Sequence, residues 1–326
     1  MSVEPASVGA VLIGRNEGPR LVAALQAAGA QLDRMVYVDS GSTDGSVDVA
    51  RRAGAEVVAL DLSVPFTAAR ARNEGLAALL AGGAFDHVQF IDGDCVLQPG
   101  WIETARQALD ADPQLAVVHG RRRERFPEAS VYNRLCDWEW DVPPGPVKAC
   151  GGDAMMRVAA LREVGGYNPA LIAGEEPELC VRLRMAGWTI RCLDAEMTLH
   201  DAAMTRFAQF WQRARRAGHA YAEGAALHGR PPERHGVTGR NRALIWGTGL
   251  PVGLLLLSLA HPAALFGFLA YPAQVARLAL KQGPRGRMGL IRAFFTTVEK
   301  FPQAQGALDY IIGRLRGHRI TLIEYK

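Results

Sequence analysis

Two carboxylates separated by one glycine, Asp92-Gly93-Asp94, close the run His87-Val88-Gln89-Phe90-Ile91. That run is mostly apolar, with β-branched and aromatic members, which is the composition of a buried strand. Its end therefore sets Asp92 and Asp94 at the carboxyl edge of a sheet, where open α/β folds collect their ligands. Gly93 lets the turn bring both carboxylates near one point. Two hard oxygen donors so placed suit Mg²⁺ or Mn²⁺ that also takes phosphate oxygens. The same tripeptide also makes an ordinary Asp-Gly turn, so the rest of the chain must decide.

Other positions offer chemistry of their own. Asp39 ends a second apolar run, Met35-Val36-Tyr37-Val38, where an acid suits the ribose of a dinucleotide or, equally, a base. Arg70 and Arg72 stand near the start of a helical stretch, either balancing such acids or facing solvent. Cys150-Gly151-Gly152-Asp153 pairs two glycines, which allow close approach of backbone to a ligand. Glu175, Glu176 and Glu178 surround Pro177 ahead of an apolar helix. Acids and a proline in a first turn are good capping chemistry. Three carboxylates in four positions exceed what a cap needs, so a general base competes with that reading. His200 is a lone histidine, open to a structural or a ligand role. The run Arg121-Arg122-Arg123-Glu124-Arg125 reads as a solvated edge, and Trp138 and Trp140 as packing on a helix from Tyr132 to Trp140.

Positioning these groups takes a sheet. Val8 to Gly14 is a continuous apolar run, the mark of a strand covered on both faces. Leu21, Val22, Leu25 and Ala28 then recur at helical spacing. Strands at 35–39, 56–60 and 87–92 alternate with helices at 47–53 and 66–80, and short links join them. That alternation predicts a parallel, doubly wound sheet. The loop after the first strand is Gly14-Arg15-Asn16-Glu17-Gly18, without the GxGxxG of a dinucleotide fold, so a Rossmann dehydrogenase loses ground.

Composition narrows the class. The 326 residues can bury one large core, or one domain plus an appendage, and 49% hydrophobic with 21% charged content is globular. A net charge of +4 is too weak to argue for nucleic acid. Five cysteines, an odd count without a CxxC pair, point to reduced thiols in a cytosolic compartment. Residues 1–9 carry neither a basic start nor an apolar run, so no secretory signal peptide is expected there.

In order along the chain, Arg15-Asn16-Glu17, Val38-Asp39-Ser40-Gly41-Ser42-Thr43-Asp44-Gly45-Ser46, Ala71-Arg72-Asn73-Glu74-Gly75, Asp92-Gly93-Asp94, Gly151-Gly152, Val164-Gly165-Gly166-Tyr167 and Gly174-Glu175-Glu176-Pro177-Glu178-Leu179 resemble the motifs of family 2 glycosyltransferases. Each is weak alone; the ordered set is specific. The resemblance implies a GT-A nucleotide-sugar-binding α/β domain over residues 1–203 and a metal-dependent transferase of hexosyl type that inverts the anomeric centre. By it, Arg15, Glu17, Asp39, Ser40, Arg72, Asp92, Gly93, Gly151 and Gly152 hold the nucleotide sugar, Asp39 through the base and Asp92 near the ribose. Asp94, with Asp92 and His200, holds the metal that bridges the diphosphate. The family's acceptor motif usually reads Glu-Asp-x-Asp, and its second residue is the base. Here Glu176 stands at that place with one extra methylene, and Glu175 is its understudy.

The remainder, 204–326, is of another character. From Ala243 to Ala276 no residue carries a formal charge. One span takes ~20 residues, so the run is long for one and short for two. His261-Pro262 sits midway and can turn the chain; Arg240 and Arg242 precede the run, and Arg277, Lys281, Arg285 and Arg287 follow it. Basic residues at both ends keep both ends in the cytosol. A helical or re-entrant hairpin over 243–276 is expected. Met288, Ile291, Phe294, Phe295, Val298 and Phe301 add an amphipathic helix over about 286–302, with Arg314, Arg316, His318 and Arg319 beyond it.

The sequence thus predicts a catalytic head held at anionic lipid on the cytoplasmic face of the inner membrane, serving surface polysaccharide or glycolipid synthesis. Its partners are a nucleotide-diphosphate sugar, a lipid-linked or saccharide acceptor and membrane lipid, without nucleic acid. Two rivals stand beside it: transfer to polyprenyl phosphate, which needs no base, and a non-catalytic nucleotide-sugar-binding scaffold.

Overall fold

The computed structural model describes residues 6–281 and 286–317, and the chain divides into two compact units, Met1–Thr205 and Arg206–Lys326. Arg285, His318 and Arg319 lie outside the described residues.

The first unit is built on strands β1 (Val8–Gly14), β2 (Met35–Asp39), β3 (Glu56–Ala59), β4 (His87–Asp92), β5 (Cys95–Leu97), β6 (Leu115–Glu124), β7 (Gly145–Pro146), β8 (Ala154–Arg157) and β9 (Thr189–His200). They form one sheet in the order β3-β2-β1-β4-β8-β6-β9-β5, with β7 on β9. The parallel arrangement expected from the sequence holds across β3, β2, β1 and β4 and ends at β8, which runs antiparallel to both β4 and β6. The sheet is therefore mixed. β8 enters beside the carboxyl end of β4 and runs back along it.

Helices cover both faces: α1 (Pro19–Gly29), α2 (Ser46–Arg52) and α4 (Trp101–Ala111) on one, α3 (Ala68–Ala81), α6 (Val158–Val164) and α7 (Glu175–Met185) on the other, with α5 (Val131–Trp140) beside β6. β1 is central because Ala10, Val11 and Leu12 are fully buried on both faces. On one face Leu12, Leu21, Leu25, Tyr37, Ile91 and Trp101 share a core; on the other Val11, Val38, Leu79, Phe90 and Leu183 do. Each such large side chain, taken wholly from water, contributes roughly 1.5–3 kcal/mol. Trp101 also donates its indole N–H to Gln89 Oε1 at 2.8 Å, so the largest core ring leaves no buried donor unsatisfied.

Register brings the chemistry to one edge. Gly14 lies opposite Asp39 and Ile13 opposite Asp92. Because β8 is antiparallel, with Ala154 opposite Phe90, the Gly151-Gly152-Asp153 turn that feeds it arrives at that same edge. Cys95 faces His200, Arg122 faces Thr198 and Glu124 faces His200.

The second unit is helical. α8 (Phe207–His228) packs on the last helix, α13 (Lys300–Leu315), through the Arg215–Asp309 ion pair at 2.7 Å and the Trp211 indole donating to Gln305 Oε1 at 2.9 Å. α9 (Val237–Leu244) continues through a π turn, Ile245–Gly249, into α10 (Leu250–Ser258). The helix ends at Leu259–His261, and a 3-10 segment, Pro262–Leu269, leads back into α11 (Ala270–Lys281). Tyr271 ties the two arms by donating its hydroxyl to the Trp246 carbonyl at 2.6 Å. Leu255, Leu256, Leu257, Leu259, Phe266 and Leu269 are all more than half exposed. Among the described residues one helical stretch, Pro262–Lys281, is long and apolar enough to cross a membrane, and none of its apolar window is buried. The helix expected over 286–302 stops earlier: α12 (Gly286–Val298) breaks at Glu299, and Phe301 belongs to α13, where it stacks on Tyr271.

Candidate active site

At the carboxyl edge of β4 the charges interlock. Arg72, on α3, directs Nη2 to Asp92 Oδ1 at 2.8 Å and to Glu176 Oε1 at 3.0 Å, and Nη1 to Glu175 Oε1 at 3.0 Å. Its side chain is only 3% exposed. Burial opposes its charge, but the carboxylates around it, Glu176 foremost, outweigh that and hold the guanidinium firmly protonated. Arg72, expected as a nucleotide contact, is a hub for three carboxylates.

Glu175 and Glu176 open α7, so the amide dipoles of the first turn point at them. Glu175 is the more deeply buried of the two. Glu176 is driven up to about 7 by burial and by the neighbouring Glu175 charge, against the pull of Arg72. A carboxylate poised near neutrality is what a general base needs. Glu178 turns away to Arg182 at 2.8 Å and serves the helix.

Asp92 and Asp94 diverge after Gly93. Asp92 keeps a side chain 28% exposed, while Asp94 is 2% exposed and lies 3.3 Å from His200 Nε2. Gly93 does not adopt a left-handed conformation; a Cβ there would press on the Ile13 carbonyl and the Glu17 side chain, each at 3.1 Å. The glycine is needed for room. Gly152 is needed more: its Cβ would lie 2.4 Å from Asp92 Oδ2 and 2.7 Å from Arg72 Nη2. Gly151 has no such neighbour closer than the Arg122 guanidinium at 3.8 Å.

His200 is buried, and burial together with the Arg122 charge pulls it down to about 4, so its imidazole is neutral at pH 7. Asp94, Cys95 and His200 present ligand atoms within 4.8 Å of one another, as do Asp92, Cys95 and Asp153. Burial pushes the Cys95 thiol far up, and it donates to Asp94 Oδ1 at 3.6 Å, so it stays an un-ionised neighbour. What remains is carboxylate oxygen and neutral imidazole, a donor set that fits a hard divalent cation such as Mg²⁺ or Mn²⁺ better than a thiolate-seeking one.

The sequence-predicted nucleotide residues lie at the ends of β1 and β2. Asp39 accepts the Gly41 and Ser42 amides at 3.0 and 2.9 Å and the Tyr37 hydroxyl at 3.2 Å, so its turn is fixed before any ligand arrives. Ser40 is buried beside it and donates its amide to Gly14. Glu17 pairs with Arg20 at 2.8 Å, and Arg15 is exposed on the same loop.

Two groups were hidden by a sequence rule. The run at Arg121 to Arg125, read as a solvated edge, falls mostly inside β6, where side chains alternate. Arg121 and Arg123 point outward to Asp194, Glu196 and Asp137, whereas Arg122 and Glu124 point in. Arg122 Nη2 meets Asp153 Oδ2 at 2.7 Å and lies 3.7 Å from Asp92 Oδ2. Trp140, read as plain packing, receives the Arg122 guanidinium 5.5 Å from its ring centre and meets His200 edge-on at 4.5 Å. The available signal was the apolar run Leu115-Ala116-Val117-Val118 just before it, which marks a strand whose side chains alternate in direction on into 121–124.

Known proteins share this frame. Residues 10–146 match the family model "Glycosyl transferase family 2". The pre-mycofactocin glycosyltransferase of Mycobacterium tuberculosis is 30% identical over 144 residues, covering 41% of this chain and 30% of that protein. The succinoglycan biosynthesis protein ExoA of Rhizobium meliloti is 29% identical over 191 residues, covering 55% of this chain and 57% of that protein. The match thus spans less than two thirds of the length of either relative. Among solved structures, the mannosyltransferase PcManGT from Pyrobaculum calidifontis, in complex with GDP-Man and Mn²⁺, aligns with a TM-score of 0.59 over 95% of this chain and 88% of that one, at 18% identity. That likeness is one of fold. Residues 10–146, which carry most of the ordered motifs, thus match glycosyl transferase family 2, and the mixed α/β sheet is that of a GT-A fold.

Proposed function

We propose that this chain is an inverting glycosyltransferase that moves a hexose from a nucleotide-diphosphate sugar to an acceptor hydroxyl, borne by a lipid-linked saccharide at the cytoplasmic face of the inner membrane. The observation that carries this reading is Glu176: a carboxylate near neutrality, tied through Arg72 to the Asp92 that opens the Asp-Gly-Asp turn.

Each residue then has a task. Arg15, Glu17, Asp39 and Ser40 take the nucleoside, with the Asp39 turn already set by its own amides. Asp94 and His200, with Asp92, hold Mg²⁺ or Mn²⁺. When bound, the cation offsets charge that develops on the departing diphosphate. Gly151 and Gly152 let backbone approach the sugar. Glu176 removes the proton from the acceptor hydroxyl as that oxygen attacks the anomeric carbon. A single displacement inverts the configuration, and no covalent nucleophile is required. Arg72 compensates for the longer side chain of glutamate by fixing where Glu176 ends.

The membrane assignment draws on the exposed leucines of the 243–276 hairpin, flanked by Arg240, Arg242, Arg277 and Lys281, the pattern of an interfacial or re-entrant anchor. A role in surface polysaccharide or glycolipid synthesis accords with the relative named for succinoglycan biosynthesis. PcManGT with GDP-Man and Mn²⁺ makes GDP-sugars a natural first donor to try, beside UDP-sugars.

The test is donor binding: titrate the full chain with UDP-, GDP-, dTDP- and CDP-sugars, with Mn²⁺ and then with chelator. Metal-dependent binding of one nucleotide class is expected, with inverted product once an acceptor is supplied. Absence of binding to all four by folded protein would sink the donor assignment. Unchanged turnover in Glu176→Gln would instead favour a phosphate acceptor, which is already ionised.

A further inference from the structure

We propose that Arg122 is a positioning residue of the cation and donor site, bracing both of its arms at once. The proposal rests on reading Asp92, Asp94 and His200 as the cation ligands.

The first arm runs through Asp153. This carboxylate has no solvent exposure; its oxygens accept the Asp92 amide at 2.9 Å and the Thr198 hydroxyl at 3.0 Å, and Oδ2 forms an ion pair with the Arg122 guanidinium at 2.7 Å. It therefore pins β4, β6 and β9 together where Asp92 leaves the sheet. Such a buried carboxylate is costly without a cation beside it, and Arg122 supplies one. The second oxygen of Asp92 faces the same guanidinium at 3.7 Å, while Arg72 holds the first. Asp92 thus sits between two arginines, still partly open to solvent on its remaining side.

The second arm runs through Trp140. The Arg122 guanidinium lies over that indole, and the indole meets the His200 ring edge-on. One planar cation therefore sets the position of a carboxylate and of an imidazole that belong to different strands. A lysine would carry the charge but could not lay a planar cation over the Trp140 indole. Groups of this kind, behind metal ligands, typically cost 10–100-fold in metal affinity when removed.

The experiment measures Mn²⁺ binding to the full-length protein by isothermal titration, with Mn²⁺ alone as probe and thermal melting as the check on folding. Arg122→Gln should weaken Mn²⁺ by about 10–100-fold with the fold retained. Arg122→Lys should fall between that variant and wild type. Arg121→Gln, which removes only an exposed pairing with Asp194 and Glu196, should bind as wild type does. Should Arg122→Gln fail to fold, the Arg122→Lys measurement decides. Wild-type affinity in folded Arg122 variants would overturn this proposal alone. Failure of the wild-type protein to bind Mn²⁺ would overturn it together with the ligand assignment beneath it.

Discussion

The two units of this chain invert one another's use of surface. The first hides charge: Arg72, Asp94, Asp153 and Glu175 are all nearly inaccessible at the edge of the sheet. The second displays hydrocarbon, with Leu255, Leu256, Leu257 and Leu259 turned outward. Buried charge is costly unless each group is paired, and large exposed apolar patches are rare on soluble monomers. Each unit breaks the ordinary partition in the way its proposed task requires. A site for a charged donor needs fixed charges in a low-dielectric wall, and an anchor needs leucines that the protein itself does not cover.

The sharpest way to break that contrast is at the buried carboxylate Asp94. Asp94→Ala should lower metal-dependent turnover by more than about a thousandfold, since the cation contributes several kcal/mol of transition-state stabilisation. Circular dichroism should show the fold intact. Full activity in that variant would remove Asp94 from the ligand set.

Glu176→Gln comes next, with an expected loss of 10²–10⁴-fold, the usual contribution of a positioned base. In the wild type, turnover should rise with pH through about 7, as Glu176 loses its proton and becomes competent. The stability effect has the opposite sense. Folding raises this carboxyl from its ordinary 4.5, so the contribution it makes to stability is complete below that value and is lost as pH climbs towards 7. Glu176→Gln should therefore melt higher than wild type at pH 8 and match it near pH 4. Arg72 keeps Asp92 and Glu175 as partners in that variant, so no bare buried cation is created.

For the second unit, Leu256→Glu, Leu257→Glu and Leu259→Glu together should release the protein from anionic vesicles in sedimentation. Each leucine buried in lipid is worth about 2 kcal/mol, so the loss should exceed a hundredfold in partitioning. Soluble donor binding by the first unit should be unchanged. Retention on vesicles would place the anchor elsewhere.

How much of this was legible in the sequence depends on the range of the interaction. The strand ends at Asp39 and Asp92 could be read because apolar runs stop there, and Glu176 because three acids crowd one helix start. The antiparallel return of β8 could not, since alternating strands and helices read alike whichever way a later strand inserts. The pairing of Arg72 with Glu175 and Glu176 spans about a hundred residues, and no local pattern announces it. Arg122 lay within reach, because the apolar run at 115–118 marks a strand whose side chains alternate in direction; a block rule for charge runs averaged over the period that mattered.

Gly152 gives the smallest and most specific test, because it asks whether buried charge at this edge is held by shape as well as by pairing. Its missing Cβ is the space in which Asp92 Oδ2 and the Arg72 guanidinium meet the loop. In Gly152→Ala a methyl group 2.4 Å from that oxygen cannot stay, so either the loop or Asp92 must shift. Moving the loop disturbs Asp153 next to it, and moving Asp92 loosens Arg72 from its first partner. Both routes end at the same ligands, so donor and Mn²⁺ affinity should fall about 10–100-fold, read by titration. Gly151→Ala, whose nearest neighbour is 3.8 Å away, should cost much less. Equal effects at the two glycines would mean that the loop tolerates crowding and that pairing alone holds Asp92 in place.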